Sequence, residues 1–338
     1  MITINDIAKM AGVSKATVSR ALNHSGYVKE ETRVLIEQIM KEQHYVPSAG
    51  AVSLSRQESN TVGIVVPELD NMFYSELLRG ITEKADENHL LPYFFDTQNQ
   101  AEKEEQALRT LGRQRVRGLI LGPAVDYSSD ARGAERMREL QELQIPVVIV
   151  DRETEQIVWD GVFYENFESS RCAACELAKA GGRRIAVITG DLKLKIGRDR
   201  LAGFQKGIAD SGLKLLEQDI YRGDFSMERA YRLSKRMLAK KTLPDAVYTS
   251  SNRTSIGFLK AANEAGIRIG KDIAVIGNDR LETLDLIGIP FSCVSRDSRE
   301  MGRIALQTLM ERMEHPKAPR KVRRVPFRLE LKGTEKKS

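Results

Sequence analysis

The 338-residue chain has little cysteine, little histidine and no long apolar run, and each shortage closes off a class of protein. Three cysteines (Cys172, Cys175, Cys293) are too few for a disulfide framework at this length. Cys172 and Cys175 form a C-x-x-C, but a redox pair normally follows a strand and opens a helix. Here the pair lies inside the helical pattern "ESSRCAACELAKAG", among small residues that suit close packing, and reads as core. Four histidines (His24, His44, His89, His315) are scattered without metal-ligand spacing, so no metal is expected. No G-x-G-x-x-G follows the first strand pattern, and P-loop, H-E-x-x-H and nucleophile elbow are all missing. Neither catalysis nor a cofactor is therefore expected. No stretch approaches the roughly 18 uninterrupted apolar residues of a membrane helix. "MITINDIAKM" lacks the basic start and apolar run of a signal peptide, so a cytoplasmic protein with no membrane role is the expectation.

Apolar residues make up 41% and charged residues 30%, the balance of a soluble globular protein, and the length suits two or three domains. The net charge of +6 invites a nucleic-acid argument, but its location weakens it. From His315 onward nine Lys/Arg face two Glu, which leaves the rest of the chain close to neutral. Motifs have to say where DNA would bind.

After about residue 60, strand-like and helix-like segments alternate. "TVGIVVPEL", "LPYFFDT", "GLILGP" and "PVVIVDR" read as buried strands with helical stretches between them. A second series begins near Trp159 with "WDGVFYEN", "RRIAVITG", "DIYRGD", "DAVYTS" and "DIAVIGND". Continuous apolar strands alternating with helices imply parallel sheets covered on both faces, here two α/β units in tandem with a cleft between them. Ligands meet the carboxyl ends of such strands, and those ends are polar: Asp96, Asp151, Asp224, Asn252 and Asp279.

The first 58 residues carry helical patterns and no strand pattern. Thr3 to Asp6 resembles a capping box; Ile4, Ile7, Ala8 and Ala11 then form one narrow apolar face. Gly12 permits a sharp left-handed turn, and Ser14 can cap a second helix with Val18 and Leu22 inward. A third helix, roughly Lys29 to Gln43, supplies Ile36, Ile39 and Met40. Helix, Gly turn, helix is a DNA-binding architecture whose second helix fits a major groove. It is equally the pattern of a plain helical cap, and the residues by themselves leave both readings standing.

"TINDIAKMAGVSKATVSRALN", "GYVKEETR" and "YVPSAGAVSL" resemble the lactose-repressor family of bacterial transcription regulators. The resemblance continues through "TVGIVVPELDNMFYSELLRGI", "RLAGFQKGI", "DAVYTSSN", "DIAVIGND" and "EMGRIAL", across essentially the whole chain. It implies a helix-turn-helix headpiece over residues 1–46, a hinge or linker over 47–58 and a two-lobed core like a periplasmic binding protein over 59–338. The first lobe would take about 59–158 and 289–318, the second about 159–288 and 319–333. The implied function is an allosteric repressor of carbohydrate-utilisation genes, a homodimer on a pseudo-palindromic operator, controlled by a sugar or sugar derivative between the lobes. Control by a protein co-regulator, or a sugar receptor without a DNA role, are the alternatives.

The resemblance also assigns residues. Lys15 and Ala16 match the base-reading pair, Arg20 a third reader, and Thr17 and Ser19 the phosphate-contacting hydroxyls. Leu54 matches a hinge leucine that wedges into the minor groove. Phe73, Tyr74, Asp151, Arg200, Phe225, Asn252 and Asp279 match or adjoin the effector site, Asp279 accepting from ligand hydroxyls and Arg200 gripping the ligand's polar side. For Asp279 and Arg200 a mutual pair across the cleft is the competing reading, and for the two phenylalanines an ordinary core. Lys193 and Lys195 near the cleft read as a solvated loop. Departures from the family pattern are Val52 for Arg, Met72 for Pro, and arginines at 253 and 280 where acids are usual. The two arginines point to an atypical effector such as an acidic sugar.

Overall fold

The computed structural model describes residues 2–23, 26–45, 60–127, 131–156 and 158–337. Leu54 and the expected hinge over 47–58 lie outside the described residues. The chain divides into two compact units, one of Met1–Thr61 with Arg115–Arg117 and one of Val62–Gln114 with Gly118–Ser338.

In the first unit, helix α1 (Ile4–Met10) starts where Thr3 donates its backbone N–H (2.9 Å) and hydroxyl (2.7 Å) to Asp6. Gly12 then takes a left-handed φ of +65°. Ser14 accepts from the backbone N–H of Thr17 at 3.1 Å and so caps α2 (Lys15–Asn23). With α3 (Glu30–Glu42) these helices bury Ile7, Ala8, Ala11, Val18, Ala21, Val28 and Ile36. Three of those seven are alanines, so the core is thin and the unit's stability modest.

The second unit contains two six-stranded sheets with the same strand order. The first runs β11–β5–β4–β3–β1–β2, from β1 (Thr61–Val66), β2 (Leu91–Asp96), β3 (Leu119–Leu121), β4 (Val147–Val150), β5 (Asp160–Tyr164) and β11 (Val322–Val325). The second runs β12–β10–β9–β8–β6–β7, from β6 (Ile185–Thr189), β7 (Ile220–Arg222), β8 (Ala246–Thr249), β9 (Ala274–Asn278), β10 (Cys293–Arg296) and β12 (Phe327–Glu330). The last strand separates the two lobes: β11 joins β5 in parallel, whereas β12 joins β10 antiparallel. Helix α4 (Met72–Glu87) and α12 (Ser298–Glu314) cover the first sheet through Leu77, Ile81, Met301, Leu306 and Leu309. The second sheet is covered on one face by α7 (Asn166–Lys179) and α8 (Lys195–Asp210), and on the other by α9 (Met227–Leu238) and α10 (Asn252–Glu264). Cys172 and Cys175 lie half-buried on α7, as free thiols.

The topology corrects the expected lobe boundaries in three places. Residues 160–164 belong to the first sheet, pairing with β4 at Val148↔Asp160, although the second series was expected to start near Trp159. Among the described residues no helix lies between β4 and β5, so the alternation only looks as if it restarts there. Residues 293–296 belong to the second sheet, pairing with β9, and 322–325 to the first. The chain thus crosses between lobes after Tyr164, after Arg296 and after Val325. A fourth correction concerns β2, expected to be buried. It is an edge strand with Leu91, Tyr93 and Phe94 exposed, and Pro92, which cannot donate to a ladder, was the overlooked sign.

Candidate functional site

In the helical unit, α2 presents its first turn to solvent. Lys15, Ala16 and Arg20 are exposed, Thr17 and Ser19 half-buried, while Val18 between them is buried completely. Helical periodicity alone makes that division, since Val18 faces α1 and its neighbours cannot. On α1 and α2 the cations Lys9, Lys15 and Arg20 meet only Asp6, whereas Glu30, Glu31, Glu37 and Glu42 all sit on α3. Even with Arg33 and Lys41 on α3, the modest overall charge conceals a basic balance on α1 and α2 and an acidic one on α3. A cationic first turn carrying small hydroxyls is what phosphates and base edges require.

In the α/β unit, all seven expected effector residues line one cavity. Phe73, Tyr74 and Asp151 come from the first lobe; Arg200, Phe225, Asn252 and Asp279 come from the second. The strands put them there: Asp151 directly follows β4, Asp279 follows β9, Phe225 lies three residues beyond β7, and Asn252 opens α10 just after β8. Asp151, Phe225 and Asp279 have left-handed φ values of 60°, 55° and 76°. In non-glycine residues such a backbone costs on the order of 1 kcal/mol or more and tends to gather at binding sites. Gly190, at the end of β6, leaves the space that the Phe225 ring fills; a Cβ there would collide with it.

The centre of the cavity is a residue the sequence reading missed. Arg296, the last residue of β10, donates to Asp279 through Nε (2.7 Å) and Nη2, and its Nη1 lies 3.6 Å from Asp151 Oδ1. Its guanidinium also packs over the rings of Phe73 (4.7 Å) and Tyr164 (4.6 Å). Burial works against this charge, but Asp279 and Asp151 outweigh burial and hold the pKa above the ordinary arginine range. Arg200 does not pair with Asp279, which rules out the competing reading of those two. It donates instead to Asn166 Oδ1 (2.9 Å) and the Ser250 carbonyl (2.7 Å), lies 5.8 Å over Phe225, and has its pKa pushed down by burial. Tyr74 Oη donates to Asp151 Oδ2 at 2.9 Å, and burial lifts the phenol well above its ordinary pKa.

The lobes are clasped across the cavity mouth. Asn252 Nδ2 donates to Asn71 Oδ1 (2.7 Å), the same oxygen that caps α4 through Phe73 N (3.1 Å). Arg253 reaches Asp70 (2.6 Å) and Glu68 (3.4 Å). Of the two arginines that depart from the family pattern, Arg253 lines the cavity, while Arg280 pairs with Asp285 in an outer groove. Lys193 is exposed and Lys195 pairs with Asp199 at 2.5 Å; neither lines the cavity. Besides Arg296, sequence reading missed Arg152, Glu68, Asn71 and Ser251. For Arg296 the signal is weak: it ends "FSCVSR", where two serines interrupt the kind of apolar run that precedes Asp151 and Asp279.

Two family models match this chain: bacterial regulatory proteins of the lacI family over residues 3–48, and a periplasmic binding protein-like domain over residues 174–334. The ribose operon repressor of Haemophilus influenzae is 30% identical over 316 residues, covering 94% of this chain and 93% of that protein. The chain belongs to the lacI family. The transcriptional repressor PurR of Erwinia tasmaniensis is 31% identical over 314 residues, or 93% of this chain and 91% of that one. Among solved structures, the lac repressor dimer bound to operator and the anti-inducer ONPF superimposes with a TM-score of 0.85 at 25% identity, covering 99% of both chains. The CelR–cellobiose complex, at 24% identity and a TM-score of 0.72, shares the fold over 99% of this chain and all of its own. As a lacI-family member this chain is a DNA-binding regulatory protein.

Proposed function

We propose that this regulator represses carbohydrate-utilisation genes and that a small polar ligand in the interlobe cavity, a sugar or sugar derivative, sets its affinity for operator DNA. The observation that carries the reading is the convergence of Phe73, Tyr74, Asp151, Arg200, Phe225, Asn252 and Asp279 from both lobes on one cavity. Apolar walls with a few fixed polar groups suit a small hydroxylated ligand. A ligand touching both lobes favours one lobe arrangement over another, and about 5.5 kcal/mol of differential affinity carries such an equilibrium from 1:99 to 99:1. In the headpiece, Lys15 reads a guanine, Ala16 a thymine methyl, and Arg20 a third base; Thr17 and Ser19 hold phosphates. Leu54 serves as the minor-groove wedge. The regulator acts in the cytoplasm as a homodimer, without catalysis. Exposed Leu91, Tyr93 and Phe94 on the β2 edge, and Leu286, Ile287 and Ile289 beyond β9, support self-association. No helix among the described residues is long and apolar enough to cross a membrane.

The test begins with selection of binding sites from a random DNA pool by the full-length protein. A two-fold-related consensus, lost in Arg20→Ala, is the expected result; an unstructured pool after several rounds would sink the DNA-reading assignment. The selected site then serves for titration against sugars, sugar acids, sugar phosphates and nucleobases. Affinity that no compound changes, together with a flat melting temperature, would remove the cavity as the control point.

A further inference from the structure

The cavity is lined by four guanidiniums, of Arg152, Arg200, Arg253 and Arg296, and three carboxylates, of Glu68, Asp151 and Asp279. Their pairing is uneven. Arg253 has Glu68 and Asp70, and Arg296 has Asp279 with Asp151 behind it. Arg152 and Arg200 have only neutral partners. Arg152 donates to the Pro123 carbonyl (3.0 Å) and Asn99 Oδ1 (2.6 Å), Arg200 to Asn166 Oδ1 and the Ser250 carbonyl. Both are buried, with 7% and 3% of their surface exposed. A buried cation that makes no ion pair is costly, and one removed from water near a second cation more so. Burial and the nearby Arg296 charge push the Arg200 pKa down and outweigh the opposing pull of Asp279 and Asp151.

A second observation is independent of that balance. Arg296 Nη1 and Asp151 Oδ1 are both buried and both lack a hydrogen-bond partner, although they lie 3.6 Å apart in the same cavity. Native proteins rarely leave a charged donor and a charged acceptor unsatisfied side by side. One ligand hydroxyl satisfies both, accepting from Nη1 and donating to Oδ1. Phe73, Phe225 and Ile196 supply apolar wall for the carbon skeleton between polar groups.

We propose that the cavity takes a hydroxylated monoanion, a sugar acid whose carboxylate meets Arg152 and Arg200 and whose hydroxyl bridges Arg296 and Asp151. This rests on effector binding in the cleft and specifies its chemistry. One negative charge balances a lining of four positive groups and three negative. A neutral sugar leaves the excess cation buried, and a dianionic phosphate ester overshoots the balance and faces Asp151 and Asp279.

The full-length protein is titrated by thermal shift and calorimetry with gluconate, galactonate, glucuronate and galacturonate. Glucose, galactose and glucitol serve as neutral counterparts, and glucose 6-phosphate and inorganic phosphate as the phosphate arm. At least one acid should bind a hundredfold more tightly than its neutral counterpart and than the phosphates. Arg152→Gln and Arg200→Gln should each weaken that acid at least tenfold. The ligand-free melting temperature of both variants should hold or rise, because an uncompensated buried charge has gone. A neutral sugar that binds as tightly as its acid overturns the proposal, as does a panel in which no acid binds. A fall of several degrees in both ligand-free variants also overturns it, since the arginines are then structural. Operator affinity separates the two readings: an acid that binds without changing it sinks effector control and leaves the anion site standing. A neutral sugar that changes it does the reverse.

Discussion

The recognition helix places five candidate side chains between positions 15 and 20, three of them in open solvent; the cavity draws seven from positions 73 to 279, and six of those are buried. The first site is local and solvated, the second assembled by the fold and largely buried. A solvated site can be altered without disturbing the unit that carries it, whereas a buried one is part of the structure it sits in. The two should therefore respond in opposite ways to truncation.

The largest contrast is expected at Asp279. Its removal leaves the Arg296 side chain, 3% exposed, with Asp151 Oδ1 at 3.6 Å as its remaining carboxylate neighbour. Breaking a buried pair from one side typically costs about 3–5 kcal/mol. Asp279→Ala should lower the denaturant midpoint of the α/β unit accordingly, as well as ligand affinity. An unchanged midpoint would mean that the ion pair contributes nothing to the body and that the two sites do not differ in kind.

Next comes a buried acid close to the cleft. Glu104, on α5 (Ala101–Gln114), accepts from Ala124 N (2.6 Å) and Tyr127 Oη (2.9 Å), and so holds the loop that also receives Arg152 at Pro123. Burial raises its pKa from 4.5 to about 7, against those hydrogen bonds and the charges of Arg136 and Arg152. The folded state therefore holds the proton more tightly than the unfolded chain does. Its contribution is fully present below pH 4.5 and is lost as pH rises through about 7. Relative to Glu104→Gln, the wild-type unit should lose roughly 2–3 kcal/mol between pH 4.5 and 8. Urea unfolding of both proteins at several pH values measures this, and a constant difference would contradict it.

The same contrast governs what could be read from sequence. The headpiece was legible because each device is local: Thr3 with Asp6, Gly12, Ser14 with Thr17, and one apolar face every three or four residues. In the cleft, the residues by themselves pointed only to strand ends after a recognisable apolar run, and Phe73, Tyr74 and Arg200, which lie on helices, came from the family resemblance alone. Asp151 and Asp279 follow four- and five-residue buried strands, whereas β10, four residues long and half-buried at its end, concealed Arg296. The lobe boundaries were misplaced for a related reason. Periodicity marks a strand but does not say which sheet it joins: β5 stays with its neighbour β4, β10 with β9, and only β11 returns to a strand far back in the chain.

A smaller effect tests the solvated half. Arg20 is exposed, so Arg20→Ala should leave both melting transitions in place while weakening the selected operator ten- to hundredfold, about 1–3 kcal/mol. Equal loss on selected and scrambled DNA would make Arg20 a phosphate contact, not a base reader.

The smallest expected effect falls on the joint between α1 and α2. Gly12 has φ +65° and open space around the place a Cβ would occupy, so Gly12→Ala meets no steric clash. What remains is the left-handed backbone itself, about 1 kcal/mol for a residue with a Cβ. In the α/β unit such a loss would be minor. The headpiece, with three alanines among its seven buried side chains, has little to spare, and its melting point should fall by about 4–8 °C. Gly12→Asn should lose less, because asparagine tolerates this conformation better. Ligand-induced stabilisation of the α/β unit should be identical in all three proteins. If Gly12→Ala instead shifts ligand binding, the two units are coupled more tightly than their separate cores imply, and the contrast between a local site and an assembled one would have to be redrawn.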